Sequence, residues 1–210
     1  MLLEKIPPLY AITDSGLSHL SHSNQVRILV DSGVKLIQMR EKKVGRDFFE
    51  EIVKSVSYSR ERGALIIVND RVDMALAAGA DGVHLGEEDL PPLEARRILG
   101  PAKIIGVSTH SITEAIQASR MDVNYLAIGP IFKTKTKDLK YSPLGREAIA
   151  EIKRTVDKPL VAIGGITLEK VREIFEAGAD SVAIISDLLC RGEPGERARL
   201  FLAAIESLKS

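Results

Sequence analysis

The feature that most constrains this chain is a unit that recurs eight times. A short run of β-branched and other apolar residues is followed by a stretch with helical periodicity. The runs fall at residues 9–13, 36–40, 65–69, 82–85, 104–108, 125–129, 160–163 and 181–185. They are continuous rather than alternating, the pattern of strands buried on both faces of a parallel sheet. Between them, apolar residues return every three or four positions. Phe48, Ile52, Val53 and Val56 make one stripe; Ile149, Ile152 and Val156 a second; Val171, Ile174 and Phe175 a third. Each stripe predicts a helix that docks one face on the sheet. Eight such units within 210 residues predict an α/β fold, a (βα)8 TIM barrel that forms a single domain over residues 1–210, near the short end for that architecture. A doubly wound open sheet is the alternative. Evenly spread strands and the lack of a Gly-x-Gly-x-x-Gly turn after the first one favour closure.

The turns fit the same unit. Ala78-Gly79-Ala80-Asp81 and Ala177-Gly178-Ala179-Asp180 each precede a strand, and Ser32-Gly33-Val34-Lys35 is a looser copy. Glycine there supplies the left-handed residue that ends a helix. Lysine and arginine together number 29, as do aspartate and glutamate, so the net charge is zero and no whole-molecule field invites nucleic acid. No apolar run approaches the roughly 18–20 residues of a membrane span, and the first residues lack a signal-peptide layout. A soluble cytoplasmic protein acting on small molecules is expected. The single cysteine, Cys190, excludes an internal disulfide and is read as an inert, partly buried thiol.

In a barrel of this kind the active site lies at the C-terminal ends of the strands, and those ends are polar here. They read Thr13-Asp14, then Gln38-Met39-Arg40-Glu41-Lys42, Asn69-Asp70-Arg71, Gly86-Glu87-Glu88-Asp89, Ser108-Thr109-His110, Gly164-Gly165 and Ser186. After the sixth run, residues 133–140 read Lys-Thr-Lys-Thr-Lys-Asp-Leu-Lys, a dense set of donors suited to phosphate or diphosphate. Gln38, Arg40 and Lys42 alternate, so an extended backbone would turn them to one side. There they suit a polyanion and a heterocycle, unless Arg40 and Lys42 merely pair with Glu41. Asp70 and Asp89 follow neighbouring strands and suit Mg²⁺ completed by phosphate oxygens; Asp89 could instead cap the helix entered at Pro91-Pro92. Gly164-Gly165 and Ile185-Ser186 match the barrel's usual phosphate position, although a bare tight turn would also account for the glycines. The pattern implies two anion sites and two phosphorylated substrates. His19 and His22 are read as solvated loop residues, His84 as a hydrogen-bonded strand residue, and His110 as within reach of substrate. None has zinc-site spacing.

Taken in order, Gln38-Met39-Arg40-Glu41-Lys42, Val68-Asn69-Asp70, Asp81-Gly82-Val83-His84-Leu85-Gly86, Gly106-Val107-Ser108-Thr109-His110, Gly129-Pro130-Ile131-Phe132 with Thr134-Lys135-Thr136-Lys137, and Ala162-Ile163-Gly164-Gly165-Ile166 resemble the motifs of the thiamine-phosphate synthases. The resemblance runs from about residue 9 to residue 189. It implies an enzyme that joins hydroxymethylpyrimidine diphosphate to a thiazole phosphate with loss of diphosphate. By that likeness Gln38, Met39, Arg40, Glu41, Lys42, Asn69, Ser108 and Lys137 would bind the pyrimidine diphosphate, with Arg40, Lys42, Ser108 and Lys137 catalytic. Asp70 and Asp89 would hold Mg²⁺. Thr134, Lys135, Thr136, Gly165, Ile185 and Ser186 would bind the thiazole phosphate. The family's reaction is dissociative, which needs no protein nucleophile. One departure is Lys133, where many members carry proline. Two rival readings are a thiazole tautomerase on the same scaffold, which typically carries histidine at the position of Pro130, and a non-catalytic phospho-ligand sensor.

Overall fold

A computed structural model describes residues 5–134 and 141–208. Eight parallel strands close into a barrel in sequence order, with β8 hydrogen-bonded to β1. The strands are β1 (Leu9–Thr13), β2 (Leu36–Met39), β3 (Leu65–Asn69), β4 (Gly82–Leu85), β5 (Ile104–Thr109), β6 (Tyr125–Ile128), β7 (Leu160–Ile163) and β8 (Ser181–Ile184). Around them lie α1 (His22–Asp31), α2 (Arg46–Arg60), α3 (Val72–Ala77), α4 (Pro92–Leu99), α5 (Ile112–Ala118), α6 (Glu147–Lys153), α7 (Val171–Glu176), α8 (Ser186–Leu189) and α9 (Pro194–Glu206). The expected barrel is therefore present, and each strand lies within one residue of its sequence assignment.

The continuous apolar runs resolve into two cores because successive side chains of a strand point to opposite faces. Leu9, Ala11, Ile37, Met39, Ile66, Val68, Leu126 and Ile128 face outward onto the helices. Tyr10, Ile12, Leu36, Ile67, Ile104, Tyr125, Val161 and Ala183 face the barrel axis. Both sets are buried, so neither face can be polar except where a function or a hydrogen-bond partner permits it. The helices clamp the outer face with Ile52, Ile149 and Ile174, all fully buried. Burying each such side chain is worth about 1.5–3 kcal/mol. Val53 does not share this role: it is 43% exposed. The inward face of α2 runs through Phe48, Ile52, Val56 and the small residues Ser55 and Ser59, which leaves Val53 on the flank.

Two further expectations change. Cys190 is exposed, because it ends the one-turn helix α8 at the surface, where its thiol lies 3.8 Å from the Leu17 carbonyl. His22 is buried rather than solvated. Ser21 caps α1 by accepting from the Asn24 N–H, which starts the helix at His22 and turns the imidazole inward against the edge of Phe48. His19 is exposed, as expected.

Candidate active site

The C-terminal ends of the strands open on a cavity of about 620 Å³. Its floor is the upper layer of the barrel interior: Tyr10, Ile12, Gln38, His84, Ser108, Ala127, Val161 and Ala183. Strand parity explains the polar members. Gln38 lies two residues beyond Leu36, Asn69 two beyond Ile67 and Ser108 four beyond Ile104, so all of them turn toward the axis with their apolar neighbours. His84 pairs with Asn69 in the β3–β4 register.

The loops complete the rim. Arg40, Glu41, Lys42, Asn69, Asp70, Asp89, Thr134, Gly165, Ile185 and Ser186 all line this one cavity. The described residues that the sequence suggested for two anion sites thus line one continuous space. Met39 does not line it; its side chain is fully buried in the outer core, as the parity of β2 requires. Lys135, Thr136 and Lys137 lie outside the described residues.

Arg40 is set from behind. Its Nη1 donates to Asp14 Oδ2 at 2.5 Å. Asp14 is itself fixed, with Oδ1 accepting from the Gly16 N–H at 2.8 Å and its own N–H donating to Gln25 at 3.2 Å. The ion pair is nearly buried, with side chains 17% and 9% exposed, so its charge-assisted hydrogen bond fixes the guanidinium's orientation. Glu41 does not pair with Arg40 or Lys42. Its carboxylate instead accepts from Ser15, from His22 Nε2 at 3.1 Å and from the Lys43 N–H at 2.9 Å. Burial raises the Glu41 pKa, but the hydrogen bonds from Lys43, Ser15 and His22 outweigh it and bring the carboxyl down to about 2. Thr13, 2.6 Å from His22 Nδ1, ties this group to β1.

Asp70 occupies the left-handed region, with φ of 63°, a conformation that aspartate tolerates better than most residues. Its N–H donates to the His84 carbonyl at 2.8 Å. Asp89 does not cap α4, whose N-terminus has no side-chain cap. Its Oδ2 accepts from the Gly86 N–H at 2.6 Å, so the loop after β4 folds around its own carboxylate. Among the described residues no cluster of three or more metal-ligating side chains occurs.

Gly164 and Gly165 follow β7 with φ of 100° and 64°. A Cβ on Gly165 would lie 2.5 Å from the Lys133 carbonyl oxygen, and one on Gly164 would lie 2.6 Å from Pro130 Cα. The segment after β6 crosses this turn and donates to it, from Ile131 N–H to the Ile163 carbonyl and from Phe132 N–H to that of Gly164, both at 2.9 Å. Close chain crossing therefore accounts for both glycines. On the other side of the same β6 segment His110 donates from Nδ1 to the Gly129 carbonyl at 2.7 Å and stacks on Tyr141 at 3.9 Å. Tyr141 in turn donates to Glu87 at 2.7 Å.

Sequence reasoning missed Tyr10, Tyr125 and His22 as parts of this machinery, and it placed Asp14 among the polar strand ends without a role. A signal existed for the tyrosines: by alternation with Ile12 and Ala127 they fall on the inward face, where a phenol needs a polar partner.

The family model for thiamine monophosphate synthase matches residues 9–188. The chain belongs to the thiamine monophosphate synthase family. A thiamine-phosphate synthase of Methanoculleus marisnigri is 42% identical over 204 residues, covering 96% of this chain and 97% of that one. One from Chloroflexus aurantiacus is 40% identical over 199 residues, covering 94% and 92%. Among solved structures, the thiamine phosphate pyrophosphorylase of Pyrococcus furiosus superposes with a TM-score of 0.89 at 35% identity, covering 97% of each chain. Family membership thus spans the whole barrel and every rim loop that lines the cavity.

Proposed function

We propose that the protein is a thiamine-phosphate synthase. It would join 4-amino-2-methyl-5-(diphosphooxymethyl)pyrimidine to 4-methyl-5-(2-phosphoethyl)thiazole, giving thiamine phosphate and diphosphate. The observation that carries this reading is the single cavity that gathers Gln38, Arg40, Lys42, Asn69 and Ser108 on one side and Thr134, Gly165, Ile185 and Ser186 on the other. Two phosphorylated substrates can meet there. The two relatives carry the name thiamine-phosphate synthase and the solved structure that of a thiamine phosphate pyrophosphorylase, and neither the tautomerase nor the sensor alternative finds support among them. A cytoplasmic location belongs to the same proposal.

In this reading Gln38 and Ser108 hold the pyrimidine ring, while Arg40, Lys42, Asn69 and Lys137 hold the diphosphate. Thr134, Lys135, Thr136, Gly165, Ile185 and Ser186 hold the thiazole phosphate. Asp70 and Asp89 offer two hard carboxylates on adjacent loops. This donor set fits Mg²⁺, which usually keeps water and substrate oxygens beside one or two carboxylates. Bound there, the ion would offset charge on the diphosphate.

The bond that breaks joins the pyrimidine methylene to the diphosphate oxygen, and both electrons leave with the diphosphate. Arg40, already held in place by Asp14, and Lys42 would meet that developing charge. The methylene cation is stabilised by the electron-rich aminopyrimidine. The lone pair of the thiazole nitrogen then closes the new C–N bond, leaving a thiazolium. No proton needs to move to the protein and no side chain acts as nucleophile. Ile12, Ala127, Val161, Ile163, Ala183 and Ile185 line the space where the two rings would meet, and these apolar walls exclude the water that would otherwise trap the cation.

The test is diphosphate release from purified protein. Release requires both substrates together, and it falls when a chelator removes Mg²⁺. Release from the pyrimidine diphosphate alone at the same rate, or none from the pair, refutes the proposal.

A further inference from the structure

Beneath the cavity, five polar side chains on five strands form an unbroken hydrogen-bond chain across the barrel. Gln38 Nε2 donates to the Tyr10 hydroxyl at 3.0 Å. The Tyr10 and Tyr125 hydroxyls are 2.8 Å apart. Tyr125 lies 2.9 Å from His84 Nδ1, and His84 Nε2 lies 2.9 Å from Ser108 Oγ. Both tyrosines are at most 1% exposed. Burial pushes the Tyr10 and Tyr125 phenols well up from their ordinary range, so both are neutral and each has one proton to place.

Counting protons fixes a direction. Gln38 Nε2 can only donate, so the Tyr10 proton is left for Tyr125, the one neighbour able to accept it. Tyr125 has then accepted from Tyr10 and must donate to His84 Nδ1, because a buried hydroxyl without an acceptor is costly. His84 is thereby the Nε2–H tautomer and donates to Ser108. The Ser108 oxygen accepts that bond, which frees its own proton for the cavity that it lines. At the other end Gln38 Oε1 has no partner among the described residues and is not a buried orphan atom, and Gln38 lines the cavity, so this oxygen opens on it as an acceptor.

We propose that Tyr125, through Tyr10 and His84, is a positioning residue that presets both ends of the pyrimidine site, holding Gln38 as acceptor and Ser108 as donor. Tyr10 and His84 line the cavity floor, whereas Tyr125 does not, so it acts only through its neighbours. The preset pair fits an aminopyrimidine, whose amino group donates and whose ring nitrogen accepts, and it disfavours a ring with that pattern reversed. The barrel is built around this phenol. Gly106 faces it, and a Cβ there would lie 1.9 Å from Tyr125 Cζ. The Tyr125 ring also stacks on His84 at 5.6 Å and meets Tyr10 edge-on at 5.8 Å.

The idea rests on the assignment of Gln38 and Ser108 to the pyrimidine substrate, and the first measurement is independent of it. In substrate-free protein, ¹⁵N NMR of the histidine side chains should show a neutral His84 with its proton on Nε2. The His84 signals are those absent from His84→Asn. A proton on Nδ1, or a doubly protonated ring near neutral pH, overturns the direction even if Tyr125→Phe does not fold. The second measurement is Tyr125→Phe, which keeps the ring and removes the link. It should mix the His84 tautomers and raise KM for the pyrimidine diphosphate by about three- to tenfold, the value of one neutral hydrogen bond. KM for the thiazole phosphate should hold. Equal rises in both KM values indicate a merely structural role and overturn the proposal, as does an unchanged tautomer with an unchanged pyrimidine KM. Should wild-type protein release no diphosphate, the synthase reading fails while the tautomer still decides the chain.

Discussion

Gly106→Ala tests whether the barrel interior is organised around Tyr125. The new methyl would sit 1.9 Å from Tyr125 Cζ and 2.4 Å from both Cε atoms, whereas carbon atoms in contact prefer about 3.5–4.0 Å. The ring must therefore retreat by at least about 1.5 Å to restore contact distance. Its hydroxyl now bonds Tyr10 at 2.8 Å and His84 at 2.9 Å, and a shift of that size breaks one or both. Overpacking costs about 1–3 kcal/mol, and leaving buried polar partners unmatched costs about 1–3 kcal/mol more for each. The expected loss of about 3–6 kcal/mol is a large share of the roughly 5–15 kcal/mol that holds a domain folded. For a chain of this size that is a fall in Tm of about 10–20 °C, read by calorimetry or circular dichroism. In a Tyr125→Ala background the same substitution meets no ring and should cost less than about 1 kcal/mol. An equal cost in both backgrounds, or a Tm within about 2 °C of wild type, refutes the reasoning.

Asp14→Ala removes the partner that holds Arg40 at 2.5 Å. A charge-assisted hydrogen bond of this kind is worth about 1.5–3 kcal/mol. Steady-state kinetics should therefore show kcat/KM for the pyrimidine diphosphate down by about ten- to a hundredfold, with KM for the thiazole phosphate unchanged; an unaltered kcat/KM refutes the anchoring role. Glu41 has a folded pKa of about 2, below its ordinary value of about 4.3. Its ionised form thus contributes stability above the ordinary value, and that contribution fades as pH falls toward 2. Glu41→Gln should be less stable than wild type at neutral pH, with the difference shrinking on acidification in melts across the acid range; a difference that grows refutes this. Lys137→Ala should lower the single-turnover rate of diphosphate release far more than it weakens thiazole phosphate binding. An unchanged rate refutes a role at the leaving group.

The barrel was legible because its signal is repeated eight times and depends on long apolar runs, which local sequence displays directly. The rim was legible for a related reason: Arg40, Lys42, Asn69, Asp70 and Ser108 end or directly follow those runs with groups that no core would bury unpaired. What stayed hidden depends on partners far apart in sequence. Asp14 looked like one more loop carboxylate until the fold placed Arg40 against it. His22 looked solvated because its surroundings are serine-rich, and only the start of α1 and the approach of Glu41 bury it. Tyr10 and Tyr125 are 115 positions apart and sit inside apolar runs, where an aromatic ring reads as filling. Their hydroxyls carry meaning only once strand parity turns both inward and Gly106 leaves room for one of the rings. Both phenols are at most 1% exposed, so each needs a partner among the inward polar groups, and together they join those groups in a chain. That chain has to end where polar groups meet the cavity, which is at Gln38 and Ser108. The same parity that makes the barrel's strands uniformly apolar in sequence therefore obliges its few polar residues to be connected, and ties the floor of the fold to the substrate site above it.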